Sequence, residues 1–137
     1  MELDLMVITV HPDDAELGAG GTIARYVAEG KKVGIVDLTR GELGTRGTAE
    51  TRAAEAQAAA TILGVAMRVN LGLRDGFFEN NEEHQLAIIQ CIRKYRPEVV
   101  ITNAVDDRHP DHGRASRLVN DALFLSGLRR IETRDAN

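Results

Sequence analysis

Val10-His11-Pro12-Asp13-Asp14-Ala15-Glu16 decides how the rest of the chain reads. It follows an apolar run from Leu3 that ends in Val7-Ile8-Thr9-Val10, a β-branched series expected of a strand covered on both faces. An imidazole and several carboxylates therefore crowd onto the carboxyl end of a buried strand. Such groups are costly at the edge of a core unless a cation or a substrate needs them. A second cluster, Asp107-Arg108-His109-Pro110-Asp111-His112, stands far down the chain. The expectation is that the two stretches meet at one divalent metal.

Working outward, Gly18-Ala19-Gly20-Gly21 reads as a glycine-rich entry to a helix over Thr22–Glu29, which Gly30 stops. Lys32–Leu38 reads as a second buried strand, followed by a loop from Thr39 to Thr48. Alanine-rich Ala49–Leu63 favours a helix closed by Gly64, and Ala66–Leu71 a third strand. After a loop with Asp75-Gly76 as its turn signal, Glu82–Tyr95 carries a helical apolar face. Pro97 breaks that helix, Glu98–Thr102 reads as a fourth strand, and Pro110 suits the first turn of a helix over Asp111–Phe124. The tail from Gly127 to Asn137 is charged and patternless.

Strictly alternating strands and helices predict an α/β, Rossmann-like, doubly wound parallel sheet with helices on both faces. Right-handed crossovers make the strand order 3-2-1-4, with the first and fourth strands adjacent at the point where the winding reverses. Ligands of such sheets bind there, outside the carboxyl ends of the strands. The two polar clusters follow those two strands.

Composition bounds the function classes. The 137 residues suit a single domain, 1–137, with 43% hydrophobic and 28% charged residues. A net charge of -4 gives no basic footprint for nucleic acid. No apolar run approaches the ~18 residues of a membrane span, and Met1-Glu2-Leu3-Asp4 lacks the basic start of a secretory signal. One cysteine, Cys91, excludes an intrachain disulfide framework and fits a cytoplasmic protein, with Cys91 itself as core filler.

Two histidines and a carboxylate with one open position are a pattern for catalytic zinc, and His11, Asp14 and His112 form the expected ligand set. Nitrogen and oxygen donors without thiolate also admit iron or manganese. Water at such a centre becomes a nucleophile near pH ~7. Asp13 is placed to take its proton. His109 stands ready to stabilise an oxyanion or protonate a leaving amine, with Asp111 orienting His109. Plainer readings exist: a His-Pro-Asp is often a turn with a capping aspartate, and His-Pro-Asp-His can be a capped helix start. Both motifs at two adjoining strand ends are harder to produce by structural need alone.

These residues resemble the LmbE-like (PIG-L) family of zinc-dependent N-acetylglucosamine deacetylases. Its first-strand His-Pro-Asp-Asp-x-Glu is matched by His11 to Glu16, and its His-x-x-His by His109 and His112. The stretches Asp37–Thr48 and Asp107–His112 look most like the bacillithiol-pathway branch, which deacetylates N-acetylglucosaminyl malate. The resemblance implies zinc on His11, Asp14 and His112, Asp13 as base, His109 as charged assistant, and substrate contacts by Arg52 and Arg108. It also implies a small-molecule amino-sugar substrate, a longer chain with further C-terminal strands, and allows a homo-oligomer. Malate carries two carboxylates, which guanidinium groups bind in bidentate fashion; Arg46 is a further candidate.

Rival readings remain. Gly18-Ala19-Gly20-Gly21 with Asp37 beyond it has the flavour of a dinucleotide site, although Ile23 stands where a glycine is required. A metal-binding but catalytically silent domain is a second alternative. A phosphoester hydrolase is a third, for which the carboxylates are few.

Overall fold

The structure, a computed structural model, describes residues 1–134. Its elements alternate as expected: β1 (Leu5–Thr9), α1 (Asp14–Ala28), β2 (Val33–Thr39), α2 (Ala49–Leu63), β3 (Met67–Leu73), α3 (Glu82–Tyr95), β4 (Val99–Thr102) and α4 (Pro110–Ser126). The four strands form one parallel sheet in the order β3-β2-β1-β4. The predicted fold class and strand order hold.

The sheet separates two cores. Met6, Ile8, Val36 and Leu38 point to one face, where they meet Ile88, Ile89 and Ile92 of α3 and Leu118 and Val119 of α4. Leu5, Val7, Val33 and Ile35 point to the other, against Ala15, Ala19 and Ile23 of α1. Alternate side chains serving opposite cores explain why β1 and β2 are apolar at nearly every position. Each fully buried aliphatic side chain contributes about 1.5–3 kcal/mol. The result is a rigid central strand whose carboxyl end carries the first polar cluster.

Two glycines and two caps sharpen the connections. Gly64 ends α2 in the left-handed conformation, and the Thr48 and Asn81 side chains accept from Thr51 N and His84 N to start α2 and α3. Gly72, at φ 65°, accompanies a register irregularity between Asp37 and Thr39, which lets β3 run on to Leu73 beyond the predicted Leu71.

The first helix departs from expectation. It starts at Asp14, not Thr22, and Gly18, Gly20 and Gly21 lie inside it. Burial at Ala15, Ala19 and Ile23, spaced four apart, outweighs the poor helix propensity of glycine. Asp14 and Glu16 also favour the helix start electrostatically. This removes the basis of the dinucleotide reading, because no glycine turn links β1 to α1. Asp37, its ribose acid, is instead buried in a bidentate pair with Arg68 (2.7 and 3.0 Å). Burial works against the Arg68 charge, but Asp37 and Glu16 outweigh it and hold the guanidinium above its ordinary value.

Cys91 is half-buried within α3, and burial pushes its thiol up. The stretch after α4 is anchored rather than patternless: Arg93 donates to the carbonyls of Ser126, Leu128 and Ile131. The last three residues of the predicted tail lie outside the described residues. Among the described residues, no helix is long and apolar enough to cross a membrane.

Candidate active site

The adjoining ends of β1 and β4 are tied together before any ligand is considered. Val10 N donates to Asn103 Oδ1 at 3.1 Å, extending the β1–β4 pairing by one side-chain bond. Asn103 Nδ2 then reaches Asp14 Oδ2 at 3.4 Å. The tight turn after β1, with Asp13 N and Asp14 N both donating to His11 O, folds His11 and Asp14 onto the same side.

His11, Asp14 and His112 converge, each offering one donor atom within 4.8 Å of the others. Asp14 Oδ2 lies 3.4 Å from His11 Nδ1 and 3.2 Å from His112 Nε2. The far nitrogens of both rings are occupied by carboxylates. His11 Nε2 donates to Asp75 Oδ1 at 3.0 Å, and His112 Nδ1 donates to Asp107 Oδ2 at 2.8 Å. With those nitrogens carrying the protons, the remaining ring nitrogens, His11 Nδ1 and His112 Nε2, both face the same carboxylate oxygen. His112 Nε2 is buried there without a hydrogen-bond partner. Three acceptors facing one another call for a cation, and outer carboxylates that fix the ring tautomers are the usual companions of metal-bound histidine. The donor set fits a divalent metal.

The protonation preferences carry the same message. Burial opposes an imidazolium at His11, yet Asp14 and Asp75 outweigh it and hold the ring above its ordinary 6.5. Burial also opposes the Asp14 carboxylate, but His11 and His112 pull it below its ordinary 3.8. Asp107 is lowered by the bond from His112 and by the His109 backbone N–H.

His109, Asp111 and His11 form a second, overlapping group with metal-competent atoms. Its atoms are already engaged. Asp111 Oδ2 accepts from Gly76 N at 2.9 Å and Oδ1 from Arg114 at 3.0 Å, while His109 Nδ1 accepts from Asp111 N at 3.2 Å. The helix-cap reading of His109 is thus correct for one nitrogen, and the neutral ring keeps its proton on Nε2. The predicted orientation of His109 by Asp111 needs correcting: the backbone N–H of Asp111 does it, because its carboxylate is held by Gly76 and Arg114. The His109 ring stacks on His112, with centroids 4.8 Å apart.

Asp13 is the N-cap residue of α1, yet its side chain makes no capping bond. It lines a crevice of about 410 Å³ together with His11, Asp14, Arg52, His109 and His112. Arg52 lies 3.4 Å from Asp13 Oδ2 and donates to Gly41 O at 3.1 Å. Gly41 sits at φ 63°, and a Cβ there would strike the Arg52 guanidinium, so only glycine fits. Arg46 and Arg108 are exposed and stand outside the crevice lining. Sequence reading missed Asp75, buried at 5% exposure, because Asp75-Gly76 looked like turn chemistry alone. Nothing in its local sequence announces that it bonds His11, 64 residues away.

A doubly wound sheet with a histidine–carboxylate cluster at its switch point defines the class: an α/β protein with a candidate divalent-metal site outside the carboxyl ends of its strands. The family model described as PIG-L, GlcNAc-PI de-N-acetylase, matches residues 6–123, and the chain belongs to that family. A 1D-myo-inositol 2-acetamido-2-deoxy-alpha-D-glucopyranoside deacetylase from Rhodococcus opacus is 34% identical over 95% of this chain and 56% of its own length. The conserved protein TT1542 from Thermus thermophilus superposes with a TM-score of 0.90 at 52% identity, over 93% of this chain and 58% of that one. The N,N'-diacetylchitobiose deacetylase from Pyrococcus horikoshii superposes at 0.86 with 29% identity, over 92% and 51%. The chain therefore spans little more than half the length of these relatives.

Proposed function

We propose that the protein is a metal-dependent amidohydrolase that removes the acetyl group from an N-acetylglucosaminyl conjugate, most concretely N-acetylglucosaminyl malate. The observation that carries this reading is the convergence of His11 Nδ1, Asp14 Oδ2 and His112 Nε2 beside Asp13. Family membership and the deacetylase names of two relatives support the amide as the bond and N-acetylglucosamine as the substrate class.

A divalent ion held by those three residues, zinc or alternatively iron or manganese, would supply Lewis acidity and lower the pKa of a water toward ~7. The chain's own residues do the rest. Asp13 accepts the proton of the attacking water, and Arg52, 3.4 Å away, keeps its carboxylate aimed into the crevice. His109, whose Nδ1 is occupied, offers Nε2–H as a hydrogen bond to the developing oxyanion, and the proton that Asp13 took from the water passes to the departing amine. The C–N bond breaks, and acetate and the free amine leave. Arg52, Arg46 and Arg108 are the arginines proposed to meet the carboxylates of the aglycone. The lone half-buried Cys91 fits work in a reducing cytoplasm.

The test is acetate release from N-acetylglucosaminyl malate by the 137-residue chain, with and without zinc. Zinc-dependent release supports both bond and substrate. Stoichiometric zinc binding with no release from this or any N-acetylglucosaminyl conjugate favours the silent metal-binding alternative.

A further inference from the structure

Two buried carboxylates compete for one proton in this site. His11 Nε2 lies 3.0 Å from Asp75 Oδ1 and 3.7 Å from Asp111 Oδ2, with the aspartate side chains 7% and 1% exposed. Water relieves neither. What separates them is the set of donors each already has. Asp75 uses Oδ2 to accept from Leu43 N at 3.0 Å, which leaves Oδ1 for the imidazole. Asp111 is committed on both oxygens, to Gly76 N and to Arg114 Nη1.

Arg114 does more than neutralise Asp111. The same Nη1 lies 3.4 Å from Gly76 O, and the guanidinium stands 5.1 Å over the ring of Phe78, which is 1% exposed. One side chain of α4 therefore grips both its own first turn and the loop that carries Asp75. A guanidinium suits this place because its planar fork can serve a carboxylate and a carbonyl while its face rests on an aromatic ring.

We infer that Arg114 is a positioning residue for the metal centre. By clasping Asp111 and Gly76 it leaves Asp75 as the acceptor for His11 Nε2–H, and so sets where the His11 ring stands relative to Asp14 and His112. The inference rests on the metal-site reading above and extends it to a residue outside the crevice. Without Arg114, Asp111 Oδ1 loses its donor, the loop keeps only the Gly76 N–Asp111 bond to the start of α4, and Asp111 is freed to share the ring with Asp75. Outer partners of a metal-bound histidine typically change metal affinity by about 10–100-fold.

The experiment uses the whole chain carrying Arg114→Met and, separately, Arg114→Lys, which keeps the charge but not the fork. Three quantities are read: the zinc dissociation constant, the 15N shifts of His11 in the metal-free protein at a pH where the ring is neutral, and the thermal midpoint. Arg114→Met is expected to weaken zinc about tenfold and to move the His11 Nε2 shift away from the parental value as Asp111 joins Asp75 at that nitrogen, with Arg114→Lys between it and the parent. If Arg114→Met folds poorly, Arg114→Lys carries the same comparison. Parental zinc affinity with parental His11 shifts in both variants overturns the inference, as does a lowered thermal midpoint with unchanged shifts. His112→Ala serves as the control. If it binds zinc like the parent, the metal-site reading fails, and the His11 shifts of the metal-free Arg114 variants still decide the role of Arg114.

Discussion

His11 stands between Asp14 on one ring nitrogen and Asp75 on the other, and its raised affinity for a proton has two consequences of opposite sign. In the metal-free chain, a group raised above its ordinary 6.5 contributes stability that is complete below 6.5 and is lost as pH climbs through the higher folded value. Asp14, lowered from 3.8, contributes stability that is present above 3.8 and is lost as pH falls through its own folded value. The thermal midpoint of the metal-free protein should therefore decline as pH rises above about 6.5, and His11→Gln should flatten that decline. Metal competes for the same nitrogen, so zinc affinity should rise about tenfold per pH unit until His11 is neutral. A calorimetric titration across that range checks it. The two acidic neighbours should also separate cleanly. Asp13→Ala is expected to keep zinc and lose about 10²–10⁴-fold in turnover, whereas His112→Ala loses the metal. Parental turnover in Asp13→Ala would sink the assignment of the base. At this scale the sequence was informative wherever chemistry was concentrated in a motif, as in His11 to Asp14 and His109 to His112. It was silent on Asp75, Asn103 and Arg114, whose partners lie on other elements and whose local context is an ordinary turn, strand end or helix.

Among the elements, α1 shows best where pattern and propensity part company. Reading Gly18 to Gly21 as a loop weighed glycine's backbone freedom correctly but lacked the buried row Ala15, Ala19 and Ile23, which only packing on β1 and β2 reveals. The other helix ends were legible because a residue type dictates them: Gly64 in the left-handed conformation closes α2, and Pro110 sits in the first turn of α4. A Cβ on Gly21 would meet nothing within 4 Å. Gly21→Ala should therefore stabilise α1 by about 0.5–1 kcal/mol, read as a shift in the urea midpoint with an unchanged slope. Gly34 in β2 is the contrasting case, since a Cβ there would collide with Met67 Sδ and Leu3. The β2 glycine lies under the Met67 and Leu3 side chains, which would have to shift to admit a Cβ, whereas the α1 glycines face open space.

For the molecule as a whole, the order β3-β2-β1-β4 followed from the alternation of elements and the handedness of crossovers, before any side chain was placed. That order alone set the two polar clusters side by side. It could not reveal how closely the loop after β3 would join them, because loop paths depend on bonds such as Gly76 N to Asp111 that no periodicity encodes. Zinc that binds only the native chain should stabilise it by about 2.7 kcal/mol at a hundred times its dissociation constant. A chelator added to the loaded protein should return the thermal midpoint to the metal-free value. The bonds that build the centre span the chain: Asp75 reaches back 64 residues to His11, and Asn103 reaches 93 to Val10 and 89 to Asp14. No fragment ending before β4 holds a complete set of ligands. A metal held by all three residues would therefore report that the carboxyl ends of β1 and β4 have met, since a misassembled chain brings no third ligand to His11 and Asp14.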